Sequence, residues 1–264
     1  MRSVGVLVAM VPLYALSLQN EPDARVTYES CDWTAVQIRT FLKNNAVAIG
    51  YRIIMPESQN FVRALSDSSL NDPAAAAQIA IIGGHIYGGG LGPYPLAVSK
   101  GKEVWMTEHL ELDTTWTGAL GTGREIHDCL NAGWNAYIWW YIVRYYGPIG
   151  EDGTVTKRGY VMSQFSRFIR PGYRKIACTT TPQRNVVLSA YRDPVSGRVV
   201  IVALNTGSTA LAQGISVSAG TMPSFAMYST TKTRNCEHGP DAPVSNGSCT
   251  ITLEPSSITT LVSP

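Results

Sequence analysis

The chain has 264 residues, of which 45% are apolar and only 15% charged, with a formal net charge of +2. That length can bury a sizeable core in one large domain or two ordinary ones, and the weak charge gives no electrostatic case for a polyanion such as nucleic acid. A neutral or weakly acidic partner is expected instead, and 13 Tyr and 6 Trp beside 5 Phe suit half-wet surfaces on which sugar rings stack.

Met1-Arg2 and the apolar run from Val4 to Leu18 have the outline of a signal peptide. The run passes without a small-residue cleavage site into Gln19-Asn20-Glu21-Pro22, so it reads as an internal strand standing at an N-terminus. Strands are expected at 13–19, 48–55, 79–87, 103–107 and 135–140. Between the first two, Thr34-Ala35-Val36-Gln37 fits a capping box that opens a helix to about Asn45. Further helices are expected near 60–66, 73–78 and 117–132, and over 159–169, where Arg170-Pro171-Gly172 is a stop signal. Short apolar strands alternating with helices indicate a parallel sheet covered by helices.

From about Tyr173 the pattern changes to period-two runs at 185–191, 198–205, 214–218, 224–229, 248–253 and 258–262. Asp193-Pro194-Val195-Ser196-Gly197 supplies the first hairpin loop. The fold class is therefore α/β plus all-β, with an α/β part over 1–172 and a β-sandwich over 173–264. The second part carries no cluster of catalytic residue types.

Two strands each deliver a glutamate at the C-terminal end: Glu21 in Asn20-Glu21-Pro22 and Glu108 in Trp105-Met106-Thr107-Glu108-His109. Paired carboxyl groups at strand ends are what glycosidic bond cleavage needs, one to protonate the leaving oxygen and one to attack or assist at the anomeric carbon. As a bare motif, Asn-Glu-Pro is equally a helix start with a first-turn glutamate. The second glutamate in register favours chemistry. Glu21 is the candidate acid/base and Glu108 the candidate nucleophile, with Asn20 placed to meet the sugar 2-hydroxyl. His85 and Tyr87 share one face of their strand, and Tyr87 is placed to donate to Glu108. A lone histidine on an apolar strand is more often a satisfied structural residue than a catalytic one, so His85 carries less weight than Tyr87. Glu57 reads as a structural carboxylate, and Trp134 as core.

Trp139 and Trp140 face opposite sides of the last α/β strand, so one of the two lines a cavity. Trp33 and Tyr146 are further stacking candidates, with ordinary loop packing as the alternative. The five cysteines and four histidines show no zinc or redox spacing, so no metal or organic cofactor is expected. Cys236 and Cys249 flank a Gly/Pro/Asn-rich loop and could pair, which would fit an oxidising compartment.

Six segments in series resemble glycoside hydrolase family 30, and within it the bacterial xylanase and glucuronoxylanase branch. They are Ser17-Leu18-Gln19-Asn20-Glu21-Pro22-Asp23, Tyr28-Glu29-Ser30-Cys31-Asp32-Trp33, Met55-Pro56-Glu57-Ser58, Gly83-Gly84-His85-Ile86-Tyr87-Gly88, Val104-Trp105-Met106-Thr107-Glu108-His109 and Tyr137-Ile138-Trp139-Trp140-Tyr141-Ile142. The resemblance implies a (β/α)8 barrel whose fourth strand carries the acid/base and whose seventh carries the nucleophile. The five α/β strands would then be the last five of the barrel, followed by a β-sandwich side domain. It implies a retaining endo-β-1,4-xylanase on xylan or glucuronoxylan, acting as a secreted monomer without nucleic-acid or membrane partners. Glucuronate-directed members carry two arginines where this chain has Val143 and Arg144, so acidic branches become optional if the missing one is the reader. A β-glucosidase, a β-1,6-glucanase and an inactive sugar-binding remnant are the alternatives.

Overall fold

The structure, a computed structural model, describes residues 12–218 and 222–264; the apolar run that starts at Val4 lies outside the described residues as far as residue 11. The chain forms two compact units, one made of the residues up to His109 together with Ala132–Trp139, the other of Leu110–Asn131 and Trp140–Pro264.

In the first unit, β1 (Leu16–Ser17), β2 (Ile53–Ser58), β3 (Ile79–His85), β4 (Glu103–Glu108) and β5 (Ala136–Tyr137) form one sheet in that order, and every neighbouring pair is parallel. Strands β2 and β3 are buried almost throughout, as continuous apolar runs in a covered parallel sheet must be. Helix α1 (Ala35–Asn44) opens on the expected capping box, with Thr34 and Gln37 each serving the other's backbone. It buries Ile38 and Leu42 and is followed by α2 (Ala64–Leu70), α3 (Pro73–Ala76) and α4 (Pro95–Ser99).

Several expected bounds shift for local reasons. The strand expected from 48 begins at Ile53, because 46–49 form a 3-10 turn that ends on Gly50 with φ +70°. Only Leu16–Ser17 of 13–19 and only Ala136–Tyr137 of 135–140 pair as strand, so Trp139 and Trp140 lie beyond the last strand. The helix expected at 60–66 spans Ala64–Leu70 instead, since Phe61 has φ +49° and breaks any earlier start. Trp134 packs as core, stacked on Phe61 with ring centroids 4.4 Å apart.

The second unit holds α5 (Trp116–Asn131), α6 (Lys157–Ser166) and the antiparallel strands β6 (Arg174–Ile176), β7 (Val186–Arg192), β8 (Val199–Asn205), β9 (Leu211–Ser216), β10 (Ser224–Thr230), β11 (Glu237–His238), β12 (Ala242–Pro243), β13 (Ser248–Leu253) and β14 (Ser257–Val262). One sheet runs β11-β10-β14-β8-β7-β6 with β12 on β10, and β9 pairs with β13 in a second. Alternation explains the layers: Leu188, Ala190, Ile201 and Leu261 share an apolar core with Ile215 and Leu253 of the second sheet. The opposite face of the larger sheet meets the helices, where Thr260 donates to Gln164 of α6. The hairpin at 193–197 closes as expected, with Gly197 at φ +79° and its N–H on the Asp193 carbonyl. Cys236 and Cys249 are free thiols, so the pairing considered from the sequence is not formed. Among the described residues, no helix is long and apolar enough to cross a membrane.

Candidate active site

The C-terminal ends of β1 to β4 bring four ionisable side chains of the first unit together. Glu21 follows β1, Glu57 lies near the end of β2, His85 ends β3 and Glu108 ends β4. Because the strands are parallel and in sequence order, their ends fall on one edge of the sheet, and residues distant in the chain become neighbours.

His85 is the centre of the group and is buried. Its Nδ1 lies 2.9 Å from Glu21 Oε1 and 3.7 Å from Glu108 Oε1, and its Nε2 lies 3.8 Å from Glu57 Oε2. One oxygen of Glu21 and one of Glu108 lie within 4.8 Å of each other. The Tyr87 hydroxyl donates to Glu108 Oε1 at 2.8 Å, and the Gln59 amide reaches Glu21 Oε2 at 3.4 Å.

The backbone holds this arrangement in a conformation that most side chains avoid. Glu21 has φ +42° and Glu57 has φ +59°, and the Glu21 N–H donates to the Glu57 carbonyl at 2.9 Å. Such left-handed residues cost on the order of 1–3 kcal/mol each and persist where neighbours over-determine them. Here Asp23 supplies part of that constraint, accepting from Ser58 Oγ at 2.7 Å and from the Gln59 N–H at 3.0 Å. Glu21 therefore sits in a turn, and the helix-start alternative for Asn-Glu-Pro is not what the chain forms.

Glu57 ties three strands together beneath the pair. Its carboxylate accepts from the hydroxyls of Ser17 on β1 and Thr107 on β4. The reach across β3 is possible because Gly83 has no side chain: a Cβ there would stand 2.9 Å from both Glu57 Oε2 and Thr107 Cγ2, and 2.4 Å from Ile54 Cγ2. Neither Ser17 nor Thr107 stands out in the sequence, although each shares its strand with a candidate glutamate or leads into it. Gln59 and Asp23 carry no spacing signal at all.

Burial pushes the Glu108 carboxyl above its ordinary value, the nearby His85 and the Tyr87 hydroxyl pull it back, and the charges of Glu21 and Glu57 add to the rise. Tyr87→Phe removes one of the opposing contacts. The acid limb of any activity that needs ionised Glu108 is expected to move to higher pH in that variant, and a pH–rate profile of kcat/KM checks the direction.

The remaining candidates fall elsewhere. Asn20 is exposed beside Glu21. Trp33 is half-buried against Phe41 of α1 at 5.3 Å and donates its indole N–H to Cys31 Sγ. Of the two adjacent tryptophans, Trp139 is buried and belongs to the first unit, where its ring stands 6.5 Å from His109, itself 5.1 Å from Tyr87. Trp140 is 39% exposed and stacks at a tilt on Tyr141 in the second unit. Arg144 lies over the Tyr141 ring and 3.5 Å from Glu151 Oε1. Tyr146 is buried, and its carbonyl accepts from the buried Arg158 at 2.6 Å.

Among the described residues, Glu21, His85 and Glu108 are also the one set of His, Cys, Asp and Glu side chains whose donor atoms converge as metal ligands would. The same convergence is what proton transfer between two carboxyl groups requires.

No protein-family model matches the chain. It is 41% identical over 263 residues to the glucuronoxylanase XynC of Bacillus subtilis (strain 168), an alignment covering 96% of this chain and 61% of that protein. The chain thus spans about three-fifths of the length of the curated relatives it matches. Among solved structures it is similar to the glycoside hydrolase family 30 subfamily 8 xylanase Xyn30A of Clostridium acetobutylicum, with a TM-score of 0.92 and 40% identity over 96% of this chain and 66% of the other. A family 30 endoxylanase of Clostridium papyrosolvens C71 gives the same TM-score of 0.92 and 40% identity over 98% of this chain and 68% of that one.

Proposed function

The chain belongs to glycoside hydrolase family 30, and from that membership we propose that it is a retaining endo-β-1,4-xylanase acting on xylan or glucuronoxylan. The observation that carries the proposal is the pair Glu21 and Glu108, both facing His85 Nδ1, with an oxygen of each within 4.8 Å of the other. A separation of about 5–5.5 Å suits a nucleophile and an acid/base, whereas inversion needs roughly 6.5–9.5 Å to admit a water. The five parallel strands, with their ionisable side chains at the C-terminal ends, support reading the sheet as the last five strands of a (β/α)8 barrel.

In the proposed reaction the Glu108 carboxylate attacks the anomeric carbon while Glu21 gives its proton to the departing glycosidic oxygen. A glycosyl ester on Glu108 results. Water then attacks that ester, Glu21 takes the proton from the water, and Glu108 is released with net retention. Asn20 is assigned to the 2-hydroxyl, and Trp139, beside His109, to the sugar face. A polymeric substrate implies that the protein works outside the cytoplasm, and it is proposed to act as a monomer.

Arg144 is the charge available at the position where glucuronate-directed members carry arginines, and it lies beside Glu151. That pairing supports a general endoxylanase for which acidic branches are optional. Mass analysis of products from glucuronoxylan tests both statements. A mixed neutral and acidic ladder is expected; oligomers each bearing one glucuronate at a fixed distance from the reducing end would overturn the general specificity. The absence of any product would overturn the enzymatic assignment.

A further inference from the structure

We propose that the segment 24–30 receives the departing part of the sugar chain, with Tyr28 as its stacking face and Glu29 as a charge that excludes acidic branches there; the proposal rests on reading Glu21 as the acid/base of a xylanase. A cavity of about 40 Å³ opens beside Glu21, bordered also by Ala24, Val26, Tyr28 and Glu29. Neither His85 nor Glu108 borders it. It therefore lies on the side of Glu21 turned away from the nucleophile. Chemistry gives that side a use. Glu108 closes on the anomeric carbon, whereas Glu21 meets the oxygen that leaves, and the sugar attached to that oxygen extends past Glu21.

The cavity admits about one hydroxyl-sized group, so the ring of the departing sugar rests outside it, against the rim. Tyr28 stands at that rim, 61% exposed, and among the described residues no other ring or cation packs on it. A bare phenol ring of this kind offers an apolar face with a polar edge, which suits a sugar ring in water.

The segment is held at both ends. The Ala24 N–H donates to the Glu21 carbonyl at 3.0 Å, and the Trp33 N–H to the Pro22 carbonyl at 3.0 Å. Asp23 is bonded to Ser58 and Gln59, and Arg25 faces Asp32 at 4.0 Å. Arg25 is thereby matched with Asp32, while Glu29 is exposed and has no ion pair among the described residues. A carboxylate at the rim repels a glucuronate on the departing sugar and does not act on neutral xylose. Specificity becomes lopsided as a result: branches are accepted on the part that stays on Glu108 and disfavoured on the part that leaves.

A 2-deoxy-2-fluoroxylobiosyl group trapped on Glu108 is released either by water or by xylobiose. In the second route the acceptor hydroxyl attacks the anomeric carbon, the ester electron pair returns to Glu108 and the hydroxyl proton goes to Glu21, so the acceptor must occupy the departing side. Tyr28→Ala is expected to lower the ratio of xylobiose-driven to water-driven release about tenfold, and Tyr28→Phe, which keeps the ring, less than about twofold. An unchanged ratio in Tyr28→Ala, or an equal loss in Tyr28→Phe, would overturn the stacking role. For Glu29, mass fragmentation locates the branches in products from glucuronoxylan. Products whose non-reducing terminal xylose bears glucuronate are expected to be scarce, and Glu29→Gln to raise their share roughly threefold to fivefold, as about 1 M salt does for the wild type. The same share in both proteins would overturn the charge role. Both side chains are exposed, so neither substitution removes a buried contact. A wild type that traps no sugar would overturn the retaining-xylanase reading and this proposal with it; trapping with equal ratios in wild type and Tyr28→Ala would overturn this proposal alone.

Discussion

Glu108→Gln is expected to reduce xylan hydrolysis by about 10⁴-fold or more, the scale on which loss of a nucleophile removes a covalent route. The substitution keeps the shape of the side chain and its contact with Tyr87 but removes the lone-pair charge that closes the bond to carbon. By the same arithmetic it raises the barrier by roughly 5 kcal/mol or more. Glu21→Gln is expected to differ in kind. It should lose the polymer but still form a glycosyl-enzyme from a dinitrophenyl xylobioside, because Glu108 remains able to attack. A 2-deoxy-2-fluoro substrate should then leave its sugar on Glu108, visible by peptide mass. Label on another residue, or a Glu108→Gln protein that keeps wild-type turnover, would remove Glu108 from the role.

A second large effect is expected in the other compact unit, and it concerns stability. His127 of α5 is fully buried, its ring edge-to-face with Phe165 at 5.3 Å, and among the described residues neither ring nitrogen has a hydrogen-bond partner. Burial pushes the imidazole down from 6.5 to about 3, with the positive charges of Arg124 and Lys175 acting in the same direction. Between those values the unfolded chain binds a proton at this residue and the folded chain does not, so stability falls as pH falls from about 6.5 toward 3. Each pH unit of that window removes about 1.4 kcal/mol, so the full loss is on the order of 4–5 kcal/mol. Urea unfolding at pH 7 and pH 4 measures most of it. His127→Leu should flatten the dependence by one titrating group while leaving the share that comes from the carboxylates. Equal pH slopes in the wild type and His127→Leu would show that His127 is protonated in the folded protein.

The parts of this protein that can be read along the chain are those set by neighbours in sequence. Thr34 and Gln37 announce a helix start because a capping box needs only the two residues and the turn between them. Short, nearly continuous apolar runs at 186–192 and 199–205 mark strands that are buried on both faces. Glu21 and Glu108 are legible as a pair because each ends an apolar strand, and parallel strands share an edge. The bounds that slipped did so where a single backbone angle intervened, as at Gly50 and Phe61.

The polar network around that pair is of another kind. Ser17 and Thr107 reach Glu57 from 40 and 50 residues away, and His85 meets Glu21 across 64. These contacts depend on the left-handed turns at Glu21 and Glu57 and on the missing side chain of Gly83, none of which leaves a periodic trace. The pairing considered for Cys236 and Cys249 failed for the same reason, since nearness in sequence does not place two thiols in register. Likewise, which of the adjacent Trp139 and Trp140 is buried is set beyond the end of β5, where strand alternation no longer applies. Local pattern and strand direction suffice to read the strands, their polarity and the two glutamates along the chain. Which hydroxyls, which histidine nitrogen and which third carboxylate surround those glutamates cannot be read there, because hydrogen bonds between distant strands exist only once the sheet has set their register.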